Sequence, residues 1–433
     1  MIRQAIRHNN CLASTYKSLK VVGCHVNEEE SILRTAWNLT ASMALTLAAA
    51  TALTAAHPAV TAAPSHGALR AAAVHAPMRG TPAHEAPLAS VKQQTLPKRT
   101  AKRQSAPPKK PLPPSPKTQV AASTSVGTGR PFVLGYYLPG SGSAQSLSAH
   151  YADISAIAPL WFGIHADGSV QHRSGGSLAT IVNLAHSLGR KVFVLVTNMA
   201  QDRILVNPSL RQTAERNLVN TVLQDHLDGV NIDFESIDGT DAQGLVDFVS
   251  AVHAQLAPHG ILTTVAVGPR TSSQLPIGDQ SDAYDYAALG RVSDYVVLMT
   301  YDEHCPPGGA GPIAALPWVQ NVVNYARTQM PASKILLGIA AYGYDWSQPG
   351  TPTVTASQAL SQISAGGVQL GWSQTAEEPY YTSGSHDVWF EDSYSAAPKF
   401  SLVRSDHLGG IALWYLGAED SHFWPTVQAS LFN

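Results

Sequence analysis

Beyond residue 130 the chain alternates between short apolar runs and longer segments with helical spacing. Eight of the runs predict strands: Phe132–Tyr137, Ile157–Ile164, Lys191–Thr197, Gly229–Phe234, Ile261–Val267, Asp294–Thr300, Lys334–Ala340 and Gly410–Tyr415. Three intervening segments predict helices: Ser177–Leu188, Leu210–His226 and Gln243–Ala257. Most strands begin about 25 to 40 residues apart, a spacing that favours strand–helix units in a parallel sheet.

Eight such units predict an α/β protein of the (β/α)8, or TIM, barrel class, with the domain covering residues 130–433. One interval is too long for a single crossover helix, because roughly 70 residues separate the seventh and eighth strands. We expect a small α+β insertion there, at about residues 342–392 and beside the mouth of the barrel. The alternative is a packed decoration that does not contact a substrate.

Residues 1–63 form the predicted N-terminal segment. An uncharged stretch begins within it at Thr35 and continues to Leu69, and it includes a run of Ala, Leu and Thr that starts at Met43. This run is similar to the apolar region of a secretory signal and is shorter than the ~20 apolar residues of a membrane span. The 34 residues before it are long for such a signal. Either translation starts downstream of Met1 or the segment is an uncleaved membrane anchor. In both cases we expect an exported protein.

Charge divides the chain into two parts. The first 130 residues carry 16 Lys and Arg against 4 Asp and Glu, whereas the remainder carries 12 against 26. Residues 64–129 are also rich in Pro and Ala, which predicts a disordered basic linker. The linker could bind an anionic wall polymer or act only as a soluble spacer. It lacks interleaved aromatic residues and the barrel is acidic, so we expect no nucleic acid partner.

The segment from Asp228 to Glu235 carries the most informative chemistry, because it places polar residues on a predicted barrel strand. Side chains alternate along a strand, so Asn231, Asp233 and Glu235 share one face. In a barrel that face points inward, and Glu235 lies at the carboxyl end where barrel active sites form. Mutual repulsion of Asp233 and Glu235 raises one pKa and leaves a proton to donate, as a general acid requires. A buried polar cluster with a structural role is the alternative.

These residues resemble the DxxDxDxE motif of glycoside hydrolase family 18, the chitinase-like barrels. Met299-Thr300-Tyr301-Asp302 resembles the MxYD motif of the same family, and Trp414 matches a tryptophan that lies beneath the substrate sugar. One position departs from the pattern, since Asn231 stands where the family has an aspartate. We expect Asn231 to hydrogen-bond Asp233, to contribute to substrate binding and to shift the pH optimum.

Further segments are similar to the spore-associated branch of the family, whose members are N-acetylglucosaminidases acting on spore-cortex or cell-wall peptidoglycan. They are Leu134–Tyr137, Pro159–Phe162, Thr197–Asn198, Leu298–His304 and Tyr342–Trp346. The resemblance therefore implies peptidoglycan as the polysaccharide substrate, with chitin oligomers as the second choice. It also implies a location outside the cell, in the cell wall or in the spore envelope.

The resemblance implies retaining, substrate-assisted hydrolysis with neither a metal nor an organic cofactor. Glu235 would protonate the glycosidic oxygen and later activate water. Asp233 and Tyr301 would hold the 2-acetamido group that attacks the anomeric carbon. Asp302 would contact the sugar at the mouth of the barrel, and Trp414 would stack beneath it.

Five more residues are candidate substrate contacts at strand ends or in the following loops: Tyr137, Trp161, Asn198, Met299 and Glu303. Packing is the alternative for the first three.

We expect a monomer. Two other functions stay open: a sugar-binding module of the same fold that does not cleave glycans, and a structural envelope protein in which the linker is the functional part. The presence of an acid at position 235 favours the enzyme.

Overall fold

The computed structural model describes residues 129–172, 177–199, 203–273, 283–347 and 351–433. Its strands are β1 (Phe132–Tyr137), β2 (Ala156–Ile164), β3 (Val170–His172), β4 (Lys191–Asn198), β5 (Gly229–Asp233), β6 (Leu262–Val267), β7 (Tyr295–Leu298), β8 (Ile335–Ala340), β9 (Tyr342–Asp345), β10 (Thr353–Thr355), β11 (Gly371–Ser373), β12 (Glu378–Ser383), β13 (His386–Phe390) and β14 (Gly410–Trp414). Its α-helices are α1 (Ser143–His150), α2 (Leu178–Ser187), α3 (Arg203–Val206), α4 (Pro208–Gln224), α5 (Ala242–Leu256), α6 (Tyr286–Val292), α7 (Leu316–Gln329), α8 (Ala356–Ser364), α9 (Ser393–Ser405) and α10 (Phe423–Val427).

Eight parallel strands close into a barrel in the order β1, β2, β4, β5, β6, β7, β8 and β14. Closure is complete because β1 pairs in parallel with both β2 and β14. The predicted (β/α)8 barrel is therefore confirmed, and helices α2, α4 and α5 lie where they were predicted. The sixth barrel strand is shorter than predicted, since β7 ends at Leu298 and leaves Met299 and Thr300 beyond it.

The residue alternation of each strand divides the apolar core into two layers. One layer fills the barrel lumen, where Leu134 and Tyr136 of β1 belong to the same apolar cluster as Phe193 and Leu195 of β4. The other layer lies between the strands and the surrounding helices. Parallel barrel strands are buried on both faces, which is why these strands read as nearly continuous apolar runs.

Helix starts are fixed by side chains that the sequence places immediately before them. Ser177 caps α2 by accepting a hydrogen bond from the backbone N–H of Thr180. Asn207 caps α4, whose first residue is a proline, and Asp285 caps α6. Such caps satisfy backbone donors that have no partner within the helix.

The long interval after the seventh barrel strand folds as the predicted α+β insertion. Strands β9 to β13 form an antiparallel sheet in the order β10, β9, β13, β12 and β11. Helix α8 covers one face of this sheet, where Ala359 packs with Tyr381, Val388 and Phe390.

The predictions for residues 1–128 lie outside the described residues. They concern the export segment within residues 1–63 and almost all of the basic linker at residues 64–129. Among the helices that the structure describes, none has the length and apolar character needed to cross a membrane.

Candidate active site

Strand β5 points its polar side chains into the barrel lumen, as the alternation predicted. Asn231 and Asp233 are buried on the inner side, whereas Ile232 and Phe234 join the layer between barrel and helices. Glu235 is the second residue after the end of the strand and is half-buried. The structure thus places both carboxyl groups at the carboxyl end of one barrel strand.

Asn231 lies deepest and is fully buried, with 0% exposure. Its Oδ1 accepts a hydrogen bond from the Tyr136 hydroxyl at 3.2 Å, and its Nδ2 donates to Thr264 Oγ1 at 2.7 Å. Among the described residues no hydrogen bond joins Asn231 to Asp233, contrary to the prediction from sequence. Position 231 therefore connects three strands, β1, β5 and β6, below the carboxyl groups.

Asp233 has a buried oxygen, Oδ1, for which the described part of the chain provides no hydrogen-bond partner. Burial raises the pKa of Asp233 to about 7, because the charged form loses its hydration. A carboxyl group that is buried and incompletely paired is destabilising unless a ligand completes its hydrogen bonds. Asp233 is therefore suited to bind a polar group of a substrate.

The pKa of Glu235 is raised as well. Burial raises its pKa well above the ordinary value, and the negative charges of Asp233 and Asp302 raise it further. These effects favour the protonated form of Glu235, which can donate a proton within a desolvated site.

Tyr301 is buried in the lumen, next to Met299 in the same apolar cluster. Burial, with nearby Tyr136 and Asp233 as smaller causes, raises the pKa of its phenol and keeps it a hydrogen-bond donor. Its ring occupies space that Gly338 of β8 leaves open, because a Cβ at position 338 would lie 2.9 Å from Tyr301 Cε1. A small residue on β8 thus allows this aromatic ring to reach the site.

Asp302 is fixed by two tyrosines of the insertion. Its Oδ1 accepts hydrogen bonds from the hydroxyls of Tyr342 at 2.6 Å and Tyr344 at 2.9 Å. Its backbone is left-handed, with φ 59°. Burial raises the pKa of Asp302, and the two phenol hydrogen bonds oppose that rise. The first strand of the insertion, β9, thereby holds one wall of the candidate site.

Glu303 faces the insertion and not the lumen. Its Oε2 accepts a hydrogen bond from the backbone N–H of Ala315 at 2.8 Å. Burial raises its pKa to about 8, and the charge of Glu378 adds to the rise. Glu378 is itself buried and forms an ion pair with Lys399, with the two charged atoms 3.4 Å apart. Glu303 therefore supports the loop after β7, and its predicted contact with substrate stays a prediction.

Aromatic rings occupy both layers at the carboxyl ends of the strands. Trp414 is half-buried and packs edge-to-face on Tyr136 in the lumen, with ring centroids 4.9 Å apart. Tyr137 and Trp161 pack on each other in the outer layer, with centroids 6.4 Å apart. Packing accounts for these last two rings, and the structure does not bring them to Asp233.

Asn198 is buried at the end of β4 and is bonded to the backbone of Glu235. Its Nδ2 donates to the Glu235 carbonyl oxygen at 2.8 Å, and its Oδ1 accepts from the Glu235 N–H at 3.0 Å.

Tyr136, Tyr342 and Tyr344 were not among the site residues predicted from the sequence. Strand alternation predicts that one of the two adjacent tyrosines of β1 faces the lumen, but it does not identify which one.

A closed parallel barrel with two carboxyl groups of raised pKa at the carboxyl end of one strand is typical of the glycosidase barrels. Residues 135–419 match the Glycosyl hydrolases family 18. The chain belongs to this family, and its recognition from the sequence motifs is confirmed.

Relatives include enzymes with names linked to sporulation. The chain is 31% identical over 272 residues to the cortical fragment-lytic enzyme of Bacillus subtilis (strain 168), covering 57% of this chain and 62% of that protein. It is 29% identical over 290 residues to the putative sporulation-specific glycosylase YdhD of the same organism, covering 65% of this chain and 67% of that protein. The chain thus spans less than two thirds of the length of the first relative.

Solved structures with the same fold include a chitinase. The chitinase from Chromobacterium violaceum ATCC 12472 has a TM-score of 0.67 and 29% identity, with 70% of this chain and 99% of that chain covered. The Bacillus cereus spore cortex-lytic enzyme SleL has a TM-score of 0.65 and 27% identity, with 71% and 76% covered.

Proposed function

We propose that this protein hydrolyses β-1,4 bonds next to N-acetylglucosamine in peptidoglycan, by a retaining, substrate-assisted mechanism. The observation that carries the proposal is the pair Asp233 and Glu235, two carboxyl groups with raised pKa values at the carboxyl end of one strand of a family 18 barrel. Glu235 supplies a proton donor, and Asp233 supplies a hydrogen-bond acceptor whose Oδ1 has no partner within the described part of the chain.

In the first step Glu235 donates its proton to the glycosidic oxygen as the bond from that oxygen to the anomeric carbon breaks. The carbonyl oxygen of the substrate's 2-acetamido group attacks the anomeric carbon and forms an oxazolinium ion. Asp233 accepts a hydrogen bond from the acetamido N–H, and its negative charge stabilises the positive charge that develops. The Tyr301 hydroxyl donates a hydrogen bond to the same group.

In the second step Glu235, now ionised, takes a proton from a water molecule that attacks the anomeric carbon. The oxazolinium ring opens, the acetamido group is restored, and Glu235 is protonated again. The positions of both carboxyl groups support this route. Since they lie two residues apart on one strand, they approach the substrate from the same side, whereas the two-carboxylate mechanism places its carboxyl groups on either side of the bond.

The names of the relatives support the choice of substrate. The cortical fragment-lytic enzyme and the sporulation-specific glycosylase favour peptidoglycan, and with it a location in the cell wall or spore envelope. The likeness to the Chromobacterium violaceum chitinase supports chitin oligomers as a second candidate. Binding of the basic linker to an anionic wall polymer belongs to the same proposal.

The test is mass spectrometry of the products that the full chain releases from peptidoglycan and from N-acetylglucosamine oligomers. We expect reducing-end N-acetylglucosamine products from the wild type, with peptidoglycan cut faster, and about 10²- to 10⁴-fold slower release from Glu235→Gln. NMR of the first product formed should show the β-anomer. An α-anomer would exclude retention, and glycan binding without cleavage by either protein would identify a binding module.

A further inference from the structure

The β4–β5 ladder ends before the proposed proton donor. Its last backbone pair joins Thr197 to Asp233, so sheet pairing does not fix the backbone of Glu235. Immediately after Glu235, Ser236 adopts a left-handed backbone conformation with φ 57°. The most important side chain of the site is thus carried by a residue between a strand end and a turn.

The side chain of Asn198 takes the place of the missing strand backbone. Its amide donates to the Glu235 carbonyl and accepts from the Glu235 N–H, at 2.8 and 3.0 Å. A carboxamide has the donor and acceptor of a peptide group, so it can extend a ladder by one step. On the other side, the Tyr284 hydroxyl donates to the carbonyl oxygen of Phe234 at 2.8 Å.

The burial of Asn198 separates this role from a direct contact with substrate. Asn198 is only 7% exposed, and both ends of its amide are bonded to the backbone of one residue. Hydrogen bonds to a backbone cannot change the charge of the Glu235 carboxyl, but they fix where it lies. Misplacement of a reacting group by about 1 Å reduces rates by about 10²-fold.

We propose that Asn198 is a positioning residue that holds the backbone of Glu235 and so aims its carboxyl group at the glycosidic oxygen. This inference rests on the proposed glycosidase function. It reassigns Asn198, which the sequence indicated as a substrate contact. It also explains why an amide stands directly after the predicted strand Lys191–Thr197.

Two variants at this position test the proposal in the full chain. Asn198→Ala removes both hydrogen bonds, and we expect kcat to fall about 10- to 100-fold with KM changed less than about twofold. Asn198→Asp keeps the acceptor but, when ionised, cannot donate to the Glu235 carbonyl. Its protonated form is a donor and an acceptor like the amide. The ratio of Asn198→Asp kcat to wild-type kcat should therefore rise as the pH falls, while the Asn198→Ala ratio stays constant.

Asn217→Ala is the matched control, because it also removes a side-chain amide that donates to a backbone carbonyl, that of Gly168 at 2.8 Å. Asn217 lies on α4, away from the site, so we expect reduced stability with unchanged kcat. A raised KM with unchanged kcat in Asn198→Ala would overturn the proposal in favour of substrate contact. Unchanged kcat and KM would overturn it as well.

Hydrogen exchange separates this inference from the function on which it rests. The amide N–H of Glu235 should exchange faster in Asn198→Ala than in the wild type, whether or not a glycan is cleaved. Unchanged exchange would overturn the positioning role. A wild type that cleaves neither glycan would refute the proposed function, and faster exchange in the variant would still show that Asn198 holds this backbone.

Discussion

Replacing Asp233 by asparagine should stabilise the protein, and more so at higher pH. Burial raises the pKa of Asp233 from 3.8 to about 7, so the folded protein resists an ionisation that the unfolded chain undergoes freely. A carboxyl group of this kind lowers stability as the pH rises from its unfolded pKa to its folded pKa, and the loss is complete above the latter. Asparagine has the same shape and does not ionise.

The size of the effect follows from the pKa difference. One pKa unit corresponds to about 1.4 kcal/mol, so the penalty of Asp233 is about 4 kcal/mol above about pH 7 and about 2 kcal/mol at about pH 5. The gain in stability from Asp233→Asn should therefore be about 2 to 3 kcal/mol larger at about pH 8 than at about pH 5. Glu235 adds to the gain with the same sign, because the loss of a neighbouring charge also lowers its raised pKa.

The assay is urea unfolding of wild type and variant at the two pH values, with the free energy of unfolding extrapolated to water. Asp387→Asn, which makes the same chemical change at a half-exposed position of β13, is the control. A gain that is equal at both pH values, or larger at the lower one, would show that Asp233 does not carry the raised pKa. Activity should be lost in the same variant, since the charge that stabilises the intermediate is gone.

Two further substitutions test the packing around the site. Gly338→Ala should destabilise the barrel by about 1–3 kcal/mol in urea unfolding and lower kcat, because its Cβ would lie 2.3 Å from the Leu298 carbonyl oxygen and would displace Tyr301; an unchanged unfolding free energy would contradict this packing. Tyr136→Phe leaves Asn231 Oδ1 without its donor, which should lower thermal stability by about 1–3 kcal/mol, and a variant as stable as wild type would show that this hydrogen bond contributes little.

The barrel and its inward-facing carboxyl groups could be predicted because both depend on local periodicity. Polar residues at alternate positions of an otherwise apolar strand identify the inner face of β5. Strand β1 has no such marker, since its two adjacent tyrosines are both apolar enough for either layer of a barrel buried on both sides. Tyr137 was predicted to be a cleft residue. The structure places Tyr137 in the outer layer and Tyr136 in the lumen.

Contacts that bridge distant segments could not be read from periodicity. The clamp on Asp302 comes from Tyr342 and Tyr344, about 40 residues further along the chain. Similarly, Glu303 follows Asp302 directly but turns to a backbone N–H beside the buried pair of Glu378 and Lys399. Adjacent residues of one loop thus face different surroundings, and only the packed insertion decides which one reaches the site.

The direction of the hydrogen bonds in the lumen explains why position 231 holds an amide where the family pattern has an acid. Thr264 donates its only hydroxyl hydrogen to the Val230 carbonyl, so its oxygen must accept from residue 231, and the Asn231 Nδ2 provides that donor. An ionised aspartate at this position could only accept. It would compete with Val230 for the hydroxyl hydrogen and place a further negative charge below Asp233. Asn231 completes the series of hydrogen bonds that runs from the Tyr136 hydroxyl through Thr264 to the Val230 carbonyl, and it adds no charge. The titration of the lumen is therefore governed by the two carboxyl groups that follow along the chain.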